Sequence, residues 1–290
     1  MADDLASGTS RKLAVVASFY PLQYATQQIG GDHVTVTNLT RPGAEPHDVE
    51  LTPRDVASVS KAALVVYERG LQGAVDQAVD SEARGRGLDV APAAHLDLLF
   101  QRGIGTPTRT SRGNAPGTTD PHFWLDPQRY SDVVTVIAQR LSALDPVNKA
   151  DYVNNAKAFQ DKLAALNGEF MAGLDNCWRK EIVTSHSAFG YLAQRFGMVQ
   201  IAINGLAPEQ EPRAADLAAV STYAKAHGVT TIYAETLASP AIAQAVAREV
   251  GARLATLDPI EGLTTASHGK DYFEVMASNL SALRMGQGCS

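Results

Sequence analysis

The feature of this sequence that most constrains its fold is an apolar stripe near the middle of the chain. Tyr152, Ala156, Phe159, Leu163, Leu166 and Phe170 recur at intervals of 4, 3, 4, 3 and 4, which is the period of one face of a helix. The stripe predicts a helix from about Asn148 to Leu174, entered after Asp145-Pro146. Such a helix reaches ~40 Å at 1.5 Å per residue, long enough to run along two lobes. It is read as a stiff strut between them, the alternative being an ordinary long core helix.

On either side of the stripe, short apolar runs alternate with helical patterns, the signature of an α/β protein with mainly parallel sheets. Leu13–Ser18, Val34–Leu39 and Leu64–Tyr67 read as strands before it. Ile182–Ser185, Val199–Ile203, Thr231–Ala234 and Arg253–Leu257 read as strands after it. Ala241–Val250, stopped by Gly251, reads as a crossover helix. The expected architecture is two α/β lobes, residues 11–145 and 176–290, joined by the single rigid helix within 146–175. The length of 290 residues fits two domains better than one. An internal echo supports two similar lobes: with an offset of 167, Ser18, Tyr24, Gln27, Gly30, Leu39 and Glu68 fall on Ser185, Tyr191, Gln194, Gly197, Leu206 and Glu235. Glu45-Pro46 has a near counterpart in Glu211-Pro212, one residue out of step.

Composition removes several functions. With 45% apolar and 19% charged residues the chain has material for a core and too little charge for wholesale disorder. Lys plus Arg is 25 against 31 for Asp plus Glu, a net charge of −6 with no basic run, so no nucleic-acid partner is expected. The longest apolar stretches, Leu13–Ala17 and Ala62–Val66, fall far short of the ~20 residues of a membrane span. Met1–Ser10 is acidic and small, without the basic and apolar regions of a secretion signal. The two cysteines, Cys177 and Cys289, make no CxxC pair; they read either as one disulfide tying the C-terminal tail to the body, suited to an oxidising compartment, or as two free thiols. Gln101–Thr119, rich in Gly, Thr, Arg and Pro, reads as a mobile loop.

Three of the seven histidines stand in unusual settings. His47 follows Pro46 beyond the second strand. His122 lies in Asp120-Pro121-His122-Phe123-Trp124-Leu125-Asp126-Pro127. His186 leaves the strand that ends at Ser185. Ligands of open α/β sheets bind beyond the carboxyl ends of strands, and Asp258, in Leu257-Asp258-Pro259, occupies the same kind of place after the last strand. Three imidazoles and one carboxylate complete a tetrahedral shell for Zn²⁺. His33, His95, His227 and His268 read as ordinary polar residues. Enzyme motifs are missing: the sequence has no HExxH, no phosphate loop GxxxxGK and no GxSxG elbow. Glu235, at the end of a strand, reads as a hydrogen-bonding acceptor behind the site, its alternative being the base of a zinc-dependent hydrolase.

Taken together, Ser18-Phe19-Tyr20-Pro21-Leu22, Pro46-His47-Asp48, the Asp120–Pro127 segment, Thr184-Ser185-His186-Ser187-Ala188-Phe189-Gly190-Tyr191, Tyr233-Ala234-Glu235 and Leu257-Asp258-Pro259 resemble the cluster A-I solute-binding proteins of zinc and manganese ABC transporters. The resemblance runs from about Leu13 to Leu283. It implies two lobes with metal held in the cleft between them, His47 and His122 as ligands from the first lobe, and His186 and Asp258 from the second. It implies a non-enzymatic, extracytoplasmic protein, periplasmic or lipid-anchored, acting as a monomer, that captures Zn²⁺ and delivers it to an ABC transporter membrane permease. The third ligand is often Glu in manganese importers of this family and His in zinc importers; His186 therefore points to Zn²⁺, with Mn²⁺ as the alternative cargo. Many zinc members carry a histidine-rich loop before the second ligand, whereas Gln101–Thr119 contains no histidine. No cysteine lies near Met1 to bear a lipid, which fits a chain trimmed of its leader or a periplasmic form. Because ligation needs neutral imidazoles, affinity is expected to fall as pH drops through the histidine range near ~6.5.

Overall fold

The computed structural model describes residues 12–100, 108–109, 118–207 and 212–290. The expectations for Met1–Ser10, for Glu211 and for most of Gln101–Thr119 lie outside the described residues. The chain runs β1 (Leu13–Ala17), α1 (Tyr20–Gly30), β2 (Val34–Asn38), α2 (Pro53–Lys61), β3 (Leu64–Tyr67), α3 (Gly73–Glu82), β4 (Gly87–Asp89), α4 (Ala91–Ala94), β5 (Leu98–Phe100), β6 (Thr108–Arg109), β7 (Thr118–Thr119), α5 (Pro127–Leu144) and α6 (Lys149–Leu174). The second half runs β8 (Glu181–Thr184), α7 (Gly190–Arg195), β9 (Val199–Ala202), α8 (Ala214–Ala226), β10 (Thr231–Ala234), α9 (Ala241–Val250), β11 (Arg253–Thr256) and α10 (Tyr272–Gln287).

The short apolar runs become two parallel four-stranded sheets. In the first, β1 pairs with β2 from Leu13↔Val34 and with β3 from Val15↔Leu64, and β4 adds to β3, giving the order β2-β1-β3-β4. In the second, β8 lies between β9 and β10, and β11 closes the edge. Ranked within each half, the two orders are the same: second, first, third, fourth. The inner strands β3 and β10 are buried at every residue, as parallel strands covered by helices on both faces must be. Ser18 and Ser185 directly follow the first strand of each sheet, and Glu68 and Glu235 directly follow the third. The expected strands thus form within a residue or so of their predicted ends. Strand β4 was not foreseen: Gly-Leu-Asp carries one apolar residue, too few to show a period. Nor was the small antiparallel sheet β6-β5-β7, whose outer members are two residues each.

Helix α6 spans 26 residues and buries Tyr152, Ala156, Phe159, Leu163, Leu166, Phe170 and Leu174, the stripe plus one further turn. It is strut and core element at once. Near its start Asn155 Nδ2 donates to Ile29 O in the first lobe (3.0 Å), and Phe159 packs edge-on to Tyr24. Near its end Phe170 packs on Phe196, and Arg195 Nε donates to Asn167 Oδ1 (2.8 Å) in the second lobe. One continuous apolar core therefore runs from Val15 through α5 and α6 to Leu283, with a smaller core behind each sheet. Cys177 and Cys289 are bonded, tying the end of α10 to the turn after α6. Gly286 lets α10 approach β10 closely, because a Cβ there would collide with Tyr233 Oη.

Candidate metal centre

The site is built where the carboxyl ends of the two sheets face each other. His186 stands two residues past β8. His122 opens a single helical turn, Phe123–Leu125, which ends when Asp126 caps α5 by accepting from Gln128 N (2.9 Å). That segment is gripped by the other lobe: Tyr191 Oη donates to Asp120 O (3.0 Å), Tyr272 Oη to Trp124 O (2.6 Å), and Trp124 Nε1 to Pro259 O (2.7 Å). Trp124 is fully buried against Phe19 and His122. The aromatic residues around His122 are thus a rigid wall that fixes the imidazole.

His47, His122 and His186 come together with Glu261, their donor atoms all within 4.8 Å of one another. Glu261 Oε1 lies 3.3 Å from His47 Nε2, 3.0 Å from His122 Nε2 and 3.2 Å from His186 Nε2, and the first two Nε2 atoms are 3.2 Å apart. His122, His186 and Glu261 are buried, and only His47 keeps slight exposure. Two of the imidazoles have carboxylates behind them. Asp120 Oδ1 accepts from His122 Nδ1 (2.8 Å) and from its backbone N (3.0 Å), which turns Nε2 toward the cluster. Glu235 Oε2 sits 2.7 Å from His186 Nδ1, off the line of an ideal hydrogen bond, so charge is the main attraction.

The three histidines singled out from sequence meet; the fourth expected ligand does not join them. Asp258 is buried, but its Oδ1 accepts from Ile260 N (2.8 Å) and its Oδ2 from Thr236 Oγ1 (3.0 Å), so both oxygens are engaged within its own lobe. Glu261 stands in its place. Placement after the last strand led to the first acidic residue, whereas the chain turns at Pro259-Ile260 and delivers the next one. The signal available was the second acid in Asp258-Pro-Ile-Glu261 ahead of Gly262. Glu235, read as an acceptor behind the site, lies beside His186 Nδ1. Glu45 was not foreseen at the site: its Oε1 accepts from His47 N (3.0 Å) and lies 3.9 Å from His47 Nε2.

The electrostatics of the site are set by buried carboxylates packed against buried imidazoles. Burial, then the charge of Glu261, pushes the Glu45 carboxyl up to about 8. Glu261 is buried too, which by itself would raise it, yet His186 and the hydrogen bonds from the three imidazoles hold it well below the usual carboxylate range. Burial lowers His47. For His122 and His186 burial is opposed and outweighed by their carboxylate neighbours, Asp120 and Glu261 for the first and Glu235 and Glu261 for the second, and both rise. Glu261 Oε2 and Glu235 Oε1 are buried without a hydrogen-bond partner among the described residues. A tetrahedral ion with ligand bonds of about 2.0–2.1 Å has edges of about 3.3–3.4 Å, and the three separations to Glu261 Oε1 and the one between His47 and His122 lie at or just inside that length.

Fold and donor set together define a class: a two-lobed α/β protein with a closed centre of three imidazoles and one carboxylate in the cleft. The chain belongs to the zinc-uptake complex component A periplasmic family (ZnuA), whose pattern matches residues 15–286. It is 36% identical over 277 residues to the high-affinity zinc uptake system protein ZnuA of Bacillus subtilis, covering 94% of this chain and 87% of the relative. It is 34% identical over 290 residues to the zinc-binding protein AdcA of Streptococcus pyogenes, where it covers 94% of this chain but spans only 56% of that relative's length. Among solved structures, the Zn(II)-bound ZnuA-like domain of Streptococcus pneumoniae AdcA matches with a TM-score of 0.78 at 34% identity, covering 96% of this chain and 99% of that one. The laminin-binding protein Lmb of Streptococcus agalactiae, described as an adhesin with metal-transporting activity, matches with a TM-score of 0.81 at 32% identity, covering 95% and 99%.

Proposed function

We propose that this chain captures Zn²⁺ outside the cytoplasmic membrane and delivers it to the permease of an ABC transporter, with His47, His122, His186 and Glu261 as the four ligands. The observation that carries this is the convergence of three Nε2 atoms on Glu261 Oε1 at 3.0–3.3 Å, close to the edge lengths of a zinc tetrahedron. Three imidazoles suit zinc, while manganese favours more carboxylate and water and a larger shell, so Mn²⁺ is the weaker cargo. Four protein donors leave no open position for a reactive water, which speaks against a zinc-dependent hydrolase and for binding without turnover.

The two lobes, 11–145 and 176–290 about the linking segment 146–175, each contribute ligands, so coordination is coupled to their arrangement and a permease can read the loaded state. The bonded cysteines suit an oxidising, extracytoplasmic compartment. One chain supplies all four donors, so no second copy is needed to complete the centre. Calorimetric titration of the metal-stripped protein with Zn²⁺ and Mn²⁺ tests the reading. One tight zinc site is expected, weakened more than roughly 100-fold by His122→Ala. Tight manganese with weak zinc would move the cargo to manganese, and binding of neither would end the proposal. His186→Glu is expected to shift preference toward Mn²⁺.

A further inference from the structure

The least ordinary backbone near the site is the turn that carries Glu261. Ile260 has φ +58°, a left-handed conformation that β-branched residues rarely adopt. Its side chain is fully buried, so the residue cannot relieve the strain by swinging outward. Strained backbone of this kind persists only where the surroundings over-determine it, and the surroundings here are specific. Asp258 Oδ1 accepts from Ile260 N (2.8 Å) and Thr236 Oγ1 donates to Asp258 Oδ2 (3.0 Å). Asn279 grips the backbone of Asp258 from both sides, its Oδ1 accepting from Asp258 N (2.9 Å) and its Nδ2 donating to Asp258 O (2.7 Å). From the opposite lobe Trp124 Nε1 donates to Pro259 O (2.7 Å).

We propose that Asp258 is the positioning residue for Glu261: clasped by Asn279, it holds Ile260 in its left-handed conformation and so aims the next side chain at the three imidazoles. The inference rests on Glu261 being a metal ligand. Asp258 acts here by accepting and by being held, so its charge is dispensable. An asparagine at 258 keeps an oxygen for Ile260 N and offers an amide N–H to Thr236 Oγ1, whereas an alanine keeps neither. Trp124 ties the same turn to the segment carrying His122, so ligands from both lobes are set by one clasp.

The test combines crystal structures of the metal-free parent, Asp258→Asn and Asp258→Ala with zinc titration of each. In the parent and Asp258→Asn, Glu261 is expected among the imidazoles, with zinc affinities within about threefold of each other. In Asp258→Ala the carboxylate is expected to leave the cluster and affinity to fall roughly 10- to 100-fold. A second pair isolates the backbone: Ile260→Gly and Ile260→Ala delete nearly the same side chain, but only glycine takes positive φ freely. The glycine variant is expected to bind zinc roughly fivefold tighter than the alanine variant, and this pair decides the matter if Asp258→Ala does not fold. Glu261 remaining in place in Asp258→Ala, or Asp258→Asn losing zinc as fully as Asp258→Ala, or equal binding by the Ile260 pair, overturns the proposal. A parent that binds no zinc while Glu261 still moves in Asp258→Ala would remove the transport reading and leave the clasp standing.

Discussion

The two lobes are built on the same strand order, and each places a serine after its first strand and a buried glutamate after its third, yet the two glutamates live differently. Glu235 in the second lobe lies 2.7 Å from His186 Nδ1. Glu68 in the first lobe is equally deep, its Oε2 has no hydrogen-bond partner among the described residues, and burial with the nearby charges of Asp120, Asp89 and Asp76 pushes its carboxyl well up. The offset of 167 that pairs the glutamates also pairs His186 with Phe19, which is buried against Trp124. The first lobe thus has an aromatic core residue where the second has an imidazole of the cluster. Its own contributions to the cluster, His47 and His122, come from later segments, the second with Asp120 as its private carboxylate. A shared architecture fixes where a charge can sit beneath a site; the residue just beyond the first strand decides whether that charge is used.

The lobes differ most in covalent support, and the largest expected effect lies there. The Cys177–Cys289 bond spans 112 residues, nearly all of the second lobe, and the sequence holds no other cysteine to support the first. Cys177→Ser is expected to lower stability by about 2–5 kcal/mol, read by denaturant unfolding, while zinc affinity stays within a few fold. A loss of zinc binding as large as the loss of stability would mean that the staple shapes the cleft itself. Next in size is the test of the glutamates. Glu235→Gln is expected to weaken zinc roughly 10- to 100-fold, since it removes the charge behind the His186 imidazole. The same change at Glu68 is expected to move zinc affinity less than twofold, and calorimetry on the two variants side by side breaks the comparison if they match.

Much of the fold and site is legible in the sequence because the relevant signals are periodic or positional. The stripe from Tyr152 to Phe170 faces inward as its spacing requires, and the buried strands declare themselves as short, largely apolar runs. His47, His122 and His186 stand out because they lie in loops or just beyond strand ends. The fourth donor is not legible in the same way, because it depends on one backbone angle: the left-handed Ile260 turns the chain so that Glu261, and not Asp258, faces the imidazoles. Glu45 escapes for a similar reason, since only the folded loop brings it back over His47. Strand β4 and the strands of the small antiparallel sheet are too short for any period to form.

The last expected effect, on stability alone, is the most direct probe of the unused glutamate. A carboxyl whose pKa is raised on folding holds its proton in the native chain at pH values where the unfolded chain has lost it. Between its ordinary value of 4.5 and its raised native value the folded state therefore binds more protons, and stability falls as pH rises. Glu68→Gln abolishes that slope, because the amide is neutral throughout. The variant is expected to be more stable than the parent at pH 8, by about 1–3 kcal/mol if the cost is that of an unsatisfied buried group, with the advantage shrinking toward pH 4. Urea unfolding at a series of pH values reads this directly. Parallel curves would mean that Glu68 finds a partner when folded, and the two lobes would then differ in which neighbour their glutamate serves and not in whether it has one.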